Sequence, residues 1–262
     1  MGIHETANAL GFLVRHPHEA WERTRSKVEH AADRRKQGDQ RTPYEPDPDA
    51  ATRLHEQIGA PFPCDASEEF KQMWAGLEES FAQSSSFVGE WVHDADPGLA
   101  EITWCLVRHL RPEHIVETGV ARGITSRVLL EALEANGSGH LWSIDLPFLR
   151  SQWHDQTAVA VPEAKRSRWT YIRGSSRRRL SPLLAQLGQI DIFIHDSAHT
   201  ESNMLYEFET AWPAIRPGGV LVSHDITLNP AFRTFTQRVP GDPIFARYEG
   251  GGSVVGLLVK TG

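Results

Sequence analysis

The chain has 262 residues, 40% of them hydrophobic and 23% charged, with a net charge of −7. That length suits one α/β domain with an appendage, and no apolar run reaches the roughly 18 residues a membrane helix needs. The acidity is concentrated between residues 61 and 110, and the one dense basic run is Arg177-Arg178-Arg179. A nucleic-acid surface, which needs clustered positive charge, is therefore not expected. Two cysteines, Cys64 and Cys105, exclude a disulfide framework and a cysteine-based zinc cluster. No basic flank precedes an apolar core at the N-terminus, so no Sec-type signal is expected and the default setting is a reducing cytoplasm.

In chain order, a charged amphipathic helix is expected from about Ala20 to Gln37. Prolines at 43, 46, 48, 61 and 63 mark an extended linker, with a short helix around 50–58. Residues 1–63 thus read as a helical arm and linker. Residues 64–110 read as a helical cap or lid with helices at 67–84 and 98–110, whose aromatics Trp74, Phe81, Phe87, Trp91 and Trp104 read as core packing or, alternatively, as the wall of a lid or substrate pocket. Asp65 or Ser67 can cap the first, and Pro97-Gly98 opens the second.

From residue 111 strands and helices alternate. Strands are expected at 114–120, 141–146, 169–173, 190–195 and 219–224, and helices at 125–136, 177–187, 201–215 and near 230–239. Two further strands, 244–248 and 253–259, are separated only by Gly250-Gly251-Gly252 and must pair antiparallel. The expected fold is α/β: a Rossmann-like doubly wound sheet of seven strands, closed by that antiparallel pair and preceded by helices.

Ligands of such sheets bind beyond the C-terminal ends of the strands. The first strand runs into Glu117-Thr118-Gly119-Val120-Ala121-Arg122-Gly123-Ile124-Thr125, where two glycines permit a sharp turn and the next helix offers free N–H groups. This is neither a dinucleotide G-x-G-x-x-G nor a P-loop, and a plain structural turn reads the same way. The second strand ends at Asp145, placed to accept ribose hydroxyls or simply to cap a turn. The third ends at Gly174-Ser175-Ser176. The fourth ends in His195-Asp196-Ser197-Ala198-His199, the fifth in Ser223-His224-Asp225. Asp196 and Asp225, on neighbouring strands, would repel unless a cation or proton lies between them, and oxygen ligands suit Mg²⁺. His199, in the loop after Asp196, is the better placed base. Strand alternation turns His224 to the other face unless the strand has already ended.

The order Glu117-Thr-Gly119, Gly123, Thr125, Asp145, Asp196-Ser-Ala-His199, Arg216-Pro-Gly-Gly219 and His224-Asp225 resembles the class I S-adenosylmethionine-dependent methyltransferases. The likeness covers residues 111–262. It is nearest to the small-molecule O-methyltransferases with an Asp-Gly-Asp-His signature after strand four, and extends to sugar and macrolide O-methyltransferases, cephalosporin-hydroxylase-like proteins and catechol O-methyltransferases. Ser197-Ala198 departs from the Gly-Asp of that signature, and His224 stands where related sites often carry an acid.

The resemblance implies an S-adenosylmethionine site made of Glu117, Gly119, Ala121, Gly123, Thr125, Asp145, Ser175, Ser176 and Asp196. It implies Mg²⁺ on Asp196 and Asp225, and His199 as the base in methyl transfer to a hydroxyl of a small molecule. Two other readings stand beside it. One is a hydroxylase- or cyclase-like enzyme on this scaffold, for which His199, His224 and Asp196 supply the residue types of an iron triad. The other is a cofactor-binding protein without transfer chemistry. The N-terminal helices offer a surface for self-association.

Overall fold

A computed structural model describes residues 16–37, 41–83, 96–146, 156–247 and 253–262. Phe87, Trp91 and the Gly250–Gly252 turn lie outside them. Among the described residues four helices come first: α1 (Pro17–Gln37), α2 (Ala50–Ile58), α3 (Ser67–Gln83) and α4 (Pro97–Leu110). The alternating part follows as β1 (His114–Thr118), α5 (Ile124–Asn136), β2 (His140–Asp145), β3 (Trp169–Arg173), α6 (Ser176–Leu187), β4 (Ile190–His195), α7 (Glu201–Ala211), β5 (Ile215–Ser223), α8 (Ala231–Thr236), β6 (Ile244–Arg247) and β7 (Val254–Val259).

Local chemistry sets these limits. The Asp96 carboxylate accepts from the Gly98 and Leu99 amides at 2.8 and 3.1 Å, and Pro97 opens α4, where its missing N–H costs nothing. Gly59 and Gly137 close α2 and α5 in left-handed conformations. α7 ends four residues before the expected point, because Pro213 tightens Trp212–Ala214 into a 3₁₀ turn. β5 starts four residues earlier than expected, entering the sheet beside Ile190 through a register shift.

The sheet runs β3-β2-β1-β4-β5-β7-β6. The first five strands are parallel, and β7 is antiparallel to both β5 and β6. The expected fold class is the observed one. Alternate residues face opposite layers, as the two-residue period requires. Ile115, Ile192, Ile194, Val220 and Val222 pack with α4 and α5, whereas Val116, Phe193 and Leu221 pack with α6, α7 and α8.

The segment expected as a lid belongs to the first of these layers. Trp74 and Trp104 pack there, and Leu106 and Val107 of α4 are wholly buried. The element that covers the sheet's open end is instead α1. It is held by Glu19 to Arg173 (3.0 Å), by Glu29 to Thr200 (2.8 Å) and Arg177 (3.3 Å), and by Asp33 to the Glu201 amide (2.8 Å). No helix among the described residues is long and apolar enough to cross a membrane. The two cysteines, discounted above on number, do not stand apart: they meet each other and two histidines between α2 and α4.

The β1–α5 turn is where backbone space is shortest. Gly119 has φ +88°, and a Cβ there would lie 2.0 Å from the Asp196 carbonyl oxygen. Gly119→Ala therefore combines left-handed strain of about 1–2 kcal/mol with a backbone clash of about 1–3 kcal/mol. Urea unfolding should show a loss of at least 2 kcal/mol.

Candidate active site

Strand order reverses between β1 and β4, and the crevice there is a cavity of about 630 Å³, within the range of small-molecule sites. Gly119, Ala121, Asp145, Ser175, Ser176, Asp196, Ser197 and Ala198 line its floor, and Arg23, Thr24 and Lys27 of α1 line its roof. Six of the nine residues expected at the cofactor thus share one cavity.

Asp145 ends β2. Its carboxylate accepts from the Val120 amide at 3.2 Å and from the Tyr171 hydroxyl at 3.3 Å. Burial raises its pKa against these donors. Ser175 lines the cavity with a buried hydroxyl that has no hydrogen-bond partner.

Three expected contacts sit off the cavity wall. Glu117 is fully buried on β1; its Oε2 accepts from Ser126 (2.7 Å) and Ser143 (2.6 Å), while Oε1 is buried without a partner. Burial pushes its pKa up to about 8 in spite of those two donors. Gly123 precedes α5 with φ +83°, and a Cβ there would press on Ala158 at 3.1 Å. Its glycine serves the approach of that loop. Thr125 stands in the first turn of α5. Ser176 reaches both places, because its hydroxyl also bonds Glu207.

Glu207 of α7 went unnoticed in the sequence. It is wholly buried, accepting at Oε2 from Thr118 (2.5 Å) and bonding His195 Nδ1 (2.6 Å). At Oε1 it accepts from Ser197 (2.7 Å) and Asn203 (2.9 Å). Burial alone would raise its pKa, but His195 and these donors hold it at about 2. One carboxylate thus ties together the ends of β1 and β4, the loop after β4 and α7.

Beyond Ser197 the residues expected to bind metal are arranged differently. β5 ends at Ser223, so His224 escapes the strand alternation and turns to Asp196. Its Nδ1 lies 2.8 Å from Asp196 Oδ1, and its Nε2 lies 3.1 Å from Asp96 Oδ2. Burial would lower its pKa, but the two carboxylates push it up to about 11. Asp96 is held below the usual range by His224 and by the Ser253 hydroxyl at 2.6 Å, against the effect of burial. Asp225 adopts φ +49° and comes no nearer than 3.9 Å to His224 Nδ1. The expected Asp196–Asp225 pair is therefore replaced by Asp196–His224–Asp96, with an imidazolium as the cation between the acids. The ligand-type atoms that converge within 4.8 Å belong to Asp196, His199 and His224.

His199 stands beside this triad. Its Nε2 is 3.8 Å from Asp196 Oδ1, buried and without a hydrogen-bond partner. Burial and the neighbouring His195 push its pKa down to about 3, with Asp196 opposing them. Asn229, wholly buried, donates to the His199 carbonyl at 3.3 Å and anchors the loop. Asp96 was not singled out in the sequence, where nothing joined it to a histidine 128 residues away.

Residues 116–226 match the family model described as "Methyltransferase domain". The resemblance to the class I S-adenosylmethionine-dependent methyltransferases read from the sequence is borne out over this stretch. The fold is similar to the O-methyltransferase of tomaymycin synthesis from Streptomyces achromogenes, solved with S-adenosylmethionine: 16% identity, 83% of this chain and 92% of that one, TM-score 0.52. It is also similar to an O-methyltransferase from Bacillus cereus with S-adenosylhomocysteine (16% identity, 80% and 97% coverage, TM-score 0.51). A third is a Podospora anserina methyltransferase bound to S-adenosylhomocysteine (13%, 84% and 99%, 0.52). At these identities the likeness is one of fold. No curated protein matches the sequence.

The Glu207 cluster gives a direct test. Removing Glu207 strands the buried groups that bond it, at about 1–3 kcal/mol each, and Glu207→Ala should lose about 3 kcal/mol or more in urea unfolding. The depressed pKa gives the sign with pH. Glu207's contribution is complete above its unfolded value near 4.5 and is lost as pH falls towards about 2. The wild-type and variant stabilities should therefore converge in acid.

Proposed function

We propose that this chain is an S-adenosylmethionine-dependent O-methyltransferase acting on a hydroxyl of a small molecule, with His199 as the general base. The observation that carries this reading is the His199 ring, whose buried, unbonded Nε2 stands 3.8 Å from Asp196 Oδ1.

The cleft suits the cofactor in kind. Asp145 would accept the ribose hydroxyls, and Ser175 and Ser176 would border the adenine. Gly119, where a side chain would collide with Asp196, leaves room for the methionine end. Glu117 would accept the amino group through its unpartnered Oε1, and Thr125 would face the carboxylate. When bound, S-adenosylmethionine supplies a methyl group already activated by its sulfonium.

The chain's own part is alignment and removal of a proton. His199 would take the proton of the substrate hydroxyl at Nε2. Asp196 would stabilise the imidazolium that results, and the His224–Asp96 pair holds Asp196 in place. Mg²⁺ does not suit this donor set. Asp196 Oδ1 already bonds the His224 ring, and two of the three converging donors are imidazoles, whereas Mg²⁺ favours oxygen. Added Mg²⁺ should leave the rate unchanged. That same Asp196–His199–His224 group favours the hydroxylase-like alternative as second reading, and stoichiometric iron in the purified protein would support it.

Two expectations test the proposal. His199→Ala should lower single-turnover methyl transfer by about 10²–10⁴-fold with cofactor affinity unchanged. A base is active when neutral, so loss in acid should come only towards pH 3 and the profile from about pH 5 to 8 should be flat. A rise centred near pH 6.5, the ordinary histidine value, would assign the proton elsewhere. Asp145→Ala should remove charge-assisted hydrogen bonds worth about 1.5–3 kcal/mol each. Calorimetric titration with S-adenosylhomocysteine should then show affinity weakened at least about tenfold.

A further inference from the structure

Away from the cleft, four side chains that methyl transfer does not use converge on one point. Cys105 and His109 stand four residues apart on α4, which places them on one helix face. His55 comes from α2, and Cys64 from the turn that precedes α3. One ligand-type atom of each lies within 4.8 Å of all the others. The two sulfurs are 3.5 Å apart, Cys64 Sγ is 3.4 Å from His109 Nε2, and Cys105 Sγ is 3.3 Å from His55 Nε2. A tetrahedral ion bonded at about 2.3 Å to sulfur and 2.0–2.1 Å to nitrogen sets its ligand atoms about 3.3–3.8 Å apart.

The surroundings support the same geometry. His55 Nδ1 lies 2.7 Å from the Ala51 carbonyl oxygen. Donation there fixes the tautomer and leaves the Nε2 lone pair facing the sulfurs, the outer-shell arrangement of metal-bound histidines. His55 and Cys105 are buried, and Cys64 is half-buried. Asp65 Oδ1, 3.5 Å from His109 Nε2, is the other group facing that ring. A hydrogen-bonded thiol pair accounts for the two cysteines but not for two imidazoles directed at them, since sulfur is a weak partner. A disulfide, with sulfurs about 2.05 Å apart, would leave both imidazole nitrogens without a ligand.

We propose that His55, Cys64, Cys105 and His109 bind one Zn²⁺ ion. Two thiolates and two imidazoles in a tetrahedron are the set that selects zinc among divalent metals. The protein fills all four positions, so the site is structural and offers no vacancy for water or substrate. The ion would join α2 and the segment before α3 to α4. It would thereby brace the helix whose first carboxylate, Asp96, holds His224.

The test is metal analysis of the full chain. Protein purified from zinc-supplied cells should retain one zinc per chain after dialysis. Cobalt in its place should show tetrahedral d–d bands and a thiolate-to-metal charge-transfer band. Withdrawing the metal should lower the melting temperature by several degrees. The Cys64→Ser/Cys105→Ser variant should bind none, while Asp196→Asn should bind as wild type. Because the double variant can fail to fold, the decisive measurement uses wild type: the reduced, metal-free, folded chain is titrated with Zn²⁺ against a chromogenic chelator. One-to-one uptake supports the site. No uptake by the folded, reduced chain overturns it, as does undiminished zinc in a folded double variant.

Discussion

A wholly buried carboxylate governs the architecture of the cleft. Glu207 takes a negative charge out of water, a change that costs several kcal/mol when uncompensated. The compensation is local: His195 and the hydroxyls of Thr118, Ser176 and Ser197 surround it, with the Asn203 amide. Those partners come from β1, α6, β4, the loop after β4 and α7. None can shift without stranding the charge, so the crevice between β1 and β4 has its walls set before any ligand arrives. Asp196, one residue from His195 and one from Ser197, inherits its position from this cluster.

Around that anchor the cleft must accommodate many acids. Asp145 and Asp196 line it, Glu117 feels both, and Asp225 feels Asp196 and Asp96; mutual repulsion would open the sheet's end if all were ionised without partners. The structure answers in three ways. Glu117 keeps a proton up to about pH 8. His224 carries one far above neutrality and bridges Asp196 to Asp96. Asp145 draws on an amide and a phenol hydroxyl. The same economy leaves His199 neutral, because its place is buried and a second imidazolium beside His224 would be repelled. A free base and a locked cation thus arise from two histidines 25 residues apart in one small volume.

What the sequence disclosed follows from the range of the interactions involved. Strand and helix periods are local, and a parallel sheet fixes where strand ends go. Gly119, Asp145, Ser175 and Asp196 could therefore be placed on one cavity from their positions alone. Contacts between distant segments carry no such signal. Asp96 to His224, Glu207 to His195 and Cys64 to Cys105 each needed a fold before they could be seen. The metal pairing went astray for a local reason: the chain leaves β5 one residue before His224, so the alternation that would have turned it away no longer applies. The cysteines misled because a count of two says nothing about which histidines they meet.

The N-terminal helix shows how a polar element can still be part of a site. α1 has little apolar surface to bury, and Trp21 and Val28 point outward, 66% and 63% exposed. Hydrophobic burial does not hold it over the cavity; ion pairs and hydrogen bonds to Arg173, Arg177, Thr200 and Glu201 do. Such contacts are individually weak and screened by salt. The floor of the cavity, built on the Glu207 cluster, is by contrast insensitive to ionic strength because its charges are dry. The cleft therefore joins a rigid base to a cover whose hold depends on solvent. That is the division of stability expected where a ligand must enter and be enclosed.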